Sequence, residues 1–301
     1  MRYGKHIRIS LFLAVATVLL AAQAAAAQHD RAYWQAVAAH HYEVPAGGSA
    51  ARLSNELSAL LALTDSELRD DLAYSILARW IARGAMPDEQ LLSLAGDWDA
   101  NLKRGIGEMG TDSVLRRSFS ALCLASIAER EAKKPFLGEA RYHQLVADGI
   151  AYLQAERDLR GYDAQMGWIH ATAHTADLLQ ALAGNRMLTP QEESGILSAI
   201  AARLTSAAQV YSQGEQDRLA QALLAVLRRD DFKMSVFDDW LKHLREEDMN
   251  VWQHPLTPAS LAVYQNHTYL LQGLAVHLEL EPESEKIISA RRQVLEILRT
   301  R

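Results

Sequence analysis

Thr189-Pro190-Gln191-Glu192 contains the chemistry of an α-helix start. The threonine hydroxyl can accept a hydrogen bond from the amide of Glu192, while the glutamate side chain reaches back to the amide of Thr189. Proline at the first helical position already has a helical φ and lacks an amide hydrogen that the helix would leave unpaired. Thr64 and Glu67 have the same spacing. The sequence therefore predicts that a helix begins after each of these threonines.

Helical signals extend along the rest of the chain. Alanine and leucine are abundant, and no segment alternates apolar and polar residues between tight turns, so the predicted fold class is all-α. A short helix is expected from Tyr33 to His41, and Gly84, Pro135 and Gly184 are expected to end helices. The other predicted starts lie near Ser49, Thr64, Pro87, Asp112, Gly138, Met166, Thr189, Glu215, Val236, Pro258 and Glu283.

The spacing of these starts indicates how the helices are arranged. Most are about 21 to 28 residues apart, and every second start falls about 43 to 54 residues apart, close to the period of a HEAT or armadillo helix pair. The predicted architecture is a HEAT/armadillo-like stack of antiparallel helix pairs. Because no residue signature recurs from pair to pair, a compact multi-helix bundle or an α/α toroid stays open. No linker rich in Gly, Ser or Pro interrupts residues 28–301, which are predicted to form a single domain.

Residues 1–27 have the pattern of a cleaved signal peptide. Arg2, Lys5 and Arg8 precede an apolar run of about 14 residues, and Ala25-x-Ala27 suits a signal peptidase. The run is shorter than the ~20 residues that cross a bilayer, so we expect no stable membrane insertion after cleavage. The mature chain is expected in the periplasm or secreted.

Charge and cysteine content limit the partners and the chemistry. Removing residues 1–27 takes away three basic residues and no acidic one, which changes the net charge from −6 to −9. A nucleic-acid partner is therefore not expected. Cys123 is the single cysteine and lies in an apolar helical run, which favours a small core residue over a nucleophile.

The segment Gly167 to Leu179 contains the candidate functional residues. In a helix, His170, His174 and Asp177 would share one stripe, and Asp177 is the only charged residue between Gly167 and Gly184. Such a helix is expected to be covered on nearly all sides, so its polar stripe would face protein or a pocket.

This stripe has two chemical interpretations. Two imidazoles and a carboxylate can bind Zn, Fe or Mn, with further ligands from His143, His267 or Glu108. Alternatively, the same groups form a buried hydrogen-bond network in which Asp177 accepts from His174. Asp158 and Arg160 precede the stripe, and Arg160 would either pair within its loop or stabilise negative charge above the imidazoles.

Two runs of sequence resemble a known family. Asp158-Leu-Arg-Gly-Tyr and Gly167-Trp-x-His-x-x-Ala-His-x-Ala-Asp-Leu-Leu179 are similar to the central motif of the bacterial family catalogued as domain of unknown function 2785. The resemblance covers roughly residues 50 to 280 and implies a helical-repeat fold without a known activity. The matching motif positions are Asp158, Arg160, Gly161, Trp168, His170, His174 and Asp177, and looser matches include Arg117, Glu215, Arg218 and Asn266.

Two functions are consistent with these observations. The first is an exported helical-repeat protein that binds a peptide, a protein or a small molecule in a polar pocket around His170, His174 and Asp177, with Asp158, Arg160 and Trp168 nearby. The alternative is a metal-dependent hydrolase in which the two histidines and Asp177 hold a divalent ion and Arg160 stabilises developing negative charge.

Overall fold

The computed structural model describes residues 29–301, so the predicted signal peptide lies outside the described residues. The described part is almost entirely helical, which confirms the all-α prediction. A π-helical segment, Glu67–Tyr74, leads without a break into the third helix. The helices are α1 Arg31–Ala39, α2 Ala50–Leu60, α3 Ser75–Arg83, α4 Asp88–Lys103, α5 Ser113–Lys133, α6 Glu139–Ala155, α7 Ala171–Ala183, α8 Pro190–Ser206, α9 Glu215–Leu227, α10 Met234–Gln253, α11 Pro258–Leu280 and α12 Glu285–Arg299. The strands are β1 Tyr162–Asp163 and β2 Gly167–Trp168.

Most helix ends follow the predicted chemistry. Thr189 caps α8, with both hydrogen bonds of the capping box in place. Gly84 ends α3 in the left-handed conformation, as a C-terminal glycine allows. The predicted box at Thr64 is wrong, because the carboxylate of Asp65 accepts the amide hydrogen of Leu68 at 3.0 Å. A charged carboxylate is a stronger acceptor for that amide than a hydroxyl.

The helices from α3 onward pack in two layers. An inner layer contains α3, α5, α7, α9 and α11, each in contact with the next. An outer layer contains α4, α6, α8, α10 and α12 in the same order, and the pairs α4/α5, α6/α7, α8/α9 and α10/α11 join the layers. This order is what a stack of helix pairs requires, while its assignment to the HEAT or armadillo class stays a prediction.

One hydrophobic core follows the two layers from Trp34 to Val294. The thiol of Cys123 is buried in it, and this burial raises the pKa of the thiol, as expected for a core cysteine and not a nucleophile. Within residues 29–301, no helix combines the length and the apolar character that a membrane span needs.

Candidate functional site

Residues 156–170 form a loop that contains the ribbon β1–β2 and leads into α7. The carboxylate of Asp163 accepts the amide hydrogens of Gln165 and Met166, at 2.8 and 2.9 Å. Aspartate commonly forms turns in this way. The predicted helix start at Met166 is therefore wrong, because Asp163 closes a turn there and α7 begins at Ala171.

His170 is the residue that connects the ribbon to α7. Its φ is 52°, a left-handed conformation that is uncommon outside glycine. Its amide donates to the carbonyl of Arg160 at 3.1 Å, and its carbonyl accepts the amide hydrogen of His174 at 2.9 Å. The ring stacks on Trp168, with centroids 4.6 Å apart, and Nε2 lies 3.0 Å from the carbonyl oxygen of Gln213. His170 is thus held on both its backbone and its ring.

His174 points from α7 toward α5. Its Nδ1 lies 2.8 Å from the hydroxyl of Ser118, which itself donates to the carbonyl of Ile169. Because the serine hydrogen is used there, Nδ1 of His174 carries the hydrogen of the second bond. Phe119 meets the ring edge-on, and the two imidazole centroids are 5.7 Å apart. Burial lowers the pKa of His170 and holds the pKa of His174 well below its usual value, so both rings are neutral near pH 7.

Asp177 points toward α9. Nη1 of Arg218 donates to both carboxylate oxygens, at 2.7 and 2.8 Å. Burial raises the pKa of Asp177 although Arg218 opposes the shift. The predicted bond between Asp177 and His174 is wrong, because the carboxylate faces α9 while the imidazole faces α5. Within residues 29–301, no group of three or more His, Cys, Asp or Glu side chains is arranged to hold a metal ion.

The further ligands considered for a metal have partners elsewhere. Nδ1 of His143 lies 2.8 Å from Glu192, and Nδ1 of His267 lies 2.8 Å from Asp248. The carboxylate of Glu108 accepts the hydroxyl hydrogens of Thr111, in its own loop, and of Ser113, at the start of α5. The metal-dependent hydrolase thus stays a prediction, without support from the arrangement of these side chains.

Asp158 and Arg160 join two loops. The buried carboxylate of Asp158 accepts the amide hydrogen of Gly110 and the Nε hydrogen of Arg160, both at 2.9 Å. Nη2 of Arg160 also donates to the carbonyl of Thr111 at 2.8 Å. Burial alone would raise the pKa of Asp158, but these hydrogen bonds lower it overall. Arg160 therefore binds its own loop and the neighbouring loop through Nε and Nη2, and it forms no hydrogen bond to either imidazole among the described residues.

The loops 104–112, 156–170 and 207–214 converge at the amino-terminal ends of the inner helices, and we call this region the loop edge. Several residues outside the central motif hold it together. Arg203 donates to the carbonyl of Glu156 at 2.6 Å, and the side chain of Asn266 binds main-chain groups of Gln209 and Tyr211. Arg69, from the π-helical segment, donates to the carbonyl of Trp168 at 3.0 Å and also to that of Met166, which holds the ribbon. Sequence reasoning missed the roles of Arg69, Ser118, Glu156, Arg203 and Gln213. Glu156 lies in the charged run before the motif, but the others carry no local signal.

A groove of about 830 Å³ crosses the inner layer next to this region. Residues of the π-helical segment and of α3, α5, α7 and α9 line it, and Asp177 and Arg218 lie within it. Of the residues predicted for the site, only Asp177 lines the groove. Small residues line much of it: Ala78, Ala125 and Ala181 are buried or half-buried and form what we call its floor, and Ala82, Ala132 and Gly184 are exposed. Its polar lining includes Tyr74, Ser126, Glu129, Lys133, Gln180 and Gln221.

Comparison with known proteins gives one match. A family model described as "Protein of unknown function (DUF2785)" matches residues 102–276, which is more than half of the chain. The match includes the loop edge and three of the four helices that line the groove. No curated protein and no solved structure matches the chain significantly.

Proposed function

The chain belongs to this family of unknown function, and we propose that it is a binding protein that holds an extended polypeptide segment in the groove across α3, α5, α7 and α9. The observation that carries the proposal is the combination of a floor of small side chains and a rim of hydrogen-bonding groups along four successive helices. We also propose that the chain is exported, as residues 1–27 predict, and that it binds its ligand outside the cytoplasm.

The floor permits close approach of a ligand backbone. Ala125 and Ala181, on α5 and α7, project no further than a methyl group. Each atomic contact between a ligand and this floor contributes only a small dispersion attraction. Over an extended surface, many such contacts together contribute appreciably to binding. A flat main chain fits such a floor better than a bulky rigid ligand.

The length of the groove suits a peptide. Neighbouring packed helices lie about 8 to 10 Å apart, so four helices span about 24 to 30 Å. An extended chain rises about 3.3 Å per residue, so about eight residues would cross the groove. This estimate sets the length of the probe in the experiment below.

The rim contains groups that the fold does not use. Among residues 29–301, the side chains of Glu129, Lys133 and Gln180 form no hydrogen bond or ion pair within the chain. Arg218 binds Asp177 through Nη1 alone, so its Nε and Nη2 hydrogens can face a ligand. Amide, ammonium and carboxylate groups match the donors and acceptors of a peptide main chain. The ion pair of Asp177 and Arg218 connects α7 to α9, the last two of the four helices.

The test uses a fluorescein-labelled library of mixed-sequence octapeptides, measured by fluorescence polarisation with the mature protein. We expect a subset of sequences to bind, and Ala181→Arg to weaken their binding at least about tenfold, because the long side chain would fill the middle of the groove. The matched control is Ala151→Arg, which adds the same side chain at an exposed position of α6 and should bind as the unchanged protein does.

Melting temperatures of both variants establish that the fold is kept. The proposal is wrong if no octapeptide pool binds, or if a folded Ala181→Arg protein binds the peptides as well as the Ala151→Arg control does.

A further inference from the structure

The outer face of α12 presents apolar side chains to solvent in the described structure. On α12, Ile288 and Leu295 are 42% and 45% exposed. On the adjoining helix α11, Val276 and Leu280 are 60% and 77% exposed. This end of the molecule therefore presents apolar side chains that the described chain does not cover.

Two charged residues on the same face also lack partners. Arg291 is paired, since its guanidinium contacts Glu279 at 2.8 Å and Glu283 at 3.6 Å. By contrast, the exposed side chains of Arg292 and Glu296 form no ion pair among residues 29–301. Their order along the helix, one cation followed by one anion a turn later, is reversed when the helix runs in the opposite direction.

We propose that the exposed face of α12 binds the same face of a second copy of this chain in an antiparallel, two-fold symmetric dimer. The two-fold axis would cross the exposed side of α12 at the level of Val294 along the helix. It then places Arg292 of each copy opposite Glu296 of the other. The same axis brings Leu295 close to its counterpart and Ile288 against the aliphatic part of Arg299. A two-fold interface must be self-complementary in this way.

The size of the face sets the strength of the dimer. A helix of 15 residues is about 22 Å long at 1.5 Å per residue. One helix pair buries less surface than standard stable interfaces, which bury about 1,200 to 2,000 Å² in total. The dimer should therefore be weak and should depend on protein concentration. The groove lies on other helices, so this inference does not depend on the proposed peptide binding.

Sedimentation equilibrium of the mature protein tests the proposal. Protein concentrations between about 1 and 100 µM cover the dissociation constants expected of a weak dimer. We expect a monomer–dimer equilibrium for the unchanged chain. Arg292→Glu would place two acidic pairs across the axis, and Glu296→Arg would place two basic pairs there. Each substitution alone should raise the dissociation constant at least about tenfold, since like charges directly opposite one another repel.

Charge reversal also predicts a rescue. The double variant R292E/E296R should dimerise like the unchanged chain, and an equimolar mixture of the two single variants should form heterodimers. Lys242→Glu is the matched control, because Lys242 and Glu246 are an exposed pair with the same spacing on α10. A chain that stays monomeric over the whole range would overturn the proposal. So would an Arg292→Glu variant that dimerises normally, or a Lys242→Glu variant that dimerises as weakly as Arg292→Glu does.

Discussion

Arg117 and Glu156 form a fully buried ion pair at the loop edge. Nε of Arg117 lies 2.6 Å from Oε2 of Glu156, and the two side chains are 0% and 2% exposed. The pair connects α5 to the residue that ends α6, and the same arginine donates to the carbonyl of Arg104 at 3.1 Å. Glu156 in turn accepts the amide hydrogens of Arg157 and Asp158. One ion pair therefore fixes both the helix ends and the loop that leads to the two histidines.

Glu156→Gln should destabilise the fold strongly. The substitution leaves the guanidinium of Arg117 buried without a counter-charge, and breaking such a pair typically costs about 3 to 5 kcal/mol. Urea unfolding followed by circular dichroism measures the change in free energy. The control is Glu246→Gln, which breaks an exposed pair with Lys242 and should cost less than about 1 kcal/mol. Equal losses in the two variants would contradict a special role of the buried pair.

Gly161→Ala should also destabilise the loop edge. A Cβ atom at this buried position would overlap the side chains of Gln213 and Glu215. Gln213 accepts the amide hydrogen of Tyr162, and Glu215, the first residue of α9, accepts the amide hydrogen of Gln213, so moving either side chain aside would break a hydrogen bond. Overpacking of this kind typically costs about 1 to 3 kcal/mol. The matched control is Gly273→Ala in α11, where the new atom would lie 3.6 Å from its nearest neighbour. In a helix this exchange is expected to stabilise by about 0.5 to 1 kcal/mol, so a loss of stability at Gly273 and none at Gly161 would refute the argument.

The helices could be predicted from the sequence because their ends depend on local chemistry. The capping box at Thr189 and the terminal glycine at Gly84 act within a few residues, and both were confirmed. The histidine segment could not be predicted in this way. Its apolar helical period extends back to Met166, but Asp163 closes a turn there, so the helix begins five residues later than expected, at Ala171.

The candidate site also depends on contacts between residues far apart in the chain. The groove is formed by four helices, and its small floor residues have no pattern that separates them from core alanines. Asp177 turns toward Arg218, which is 41 residues away. Spacing along one helix cannot show which neighbouring helix a side chain faces, so the shared stripe of His174 and Asp177 was misleading.

Export predicts a defined start of the mature protein. When the full chain is produced in a Gram-negative host, signal cleavage after Ala27 should leave Gln28 as the first residue. Mass spectrometry of the periplasmic fraction measures this directly. Ala25→Arg is the informative variant, because signal peptidase requires a small residue at that position, and the uncleaved precursor should then accumulate. Intact precursor in the cytoplasm of cells that carry the unchanged chain would contradict export.

The two buried histidines predict how stability depends on pH. Burial lowers the pKa of His170 and, more strongly, of His174 in the folded state, whereas both titrate near 6.5 in the unfolded chain. Between the folded and unfolded pKa values the unfolded chain binds more protons, so acid favours unfolding. The stabilisation is complete above pH 6.5 and is lost progressively as the pH falls below it. For each imidazole that stays neutral in the folded protein, the free energy of unfolding falls by at most about 1.4 kcal/mol for every pH unit below 6.5.

Urea unfolding at pH 7.5, 6.5 and 5.5 measures this slope. His174→Gln should lower stability at pH 7.5, because the bond to Ser118 is disturbed, and should also make stability less dependent on pH below 6.5. The matched control is His243→Gln, which makes the same exchange at an exposed position of α10. If His174 has only a structural role, His174→Gln should lower the free energy of unfolding by the same amount at all three pH values. The slope of that free energy against pH would then be unaltered, and the prediction would be wrong.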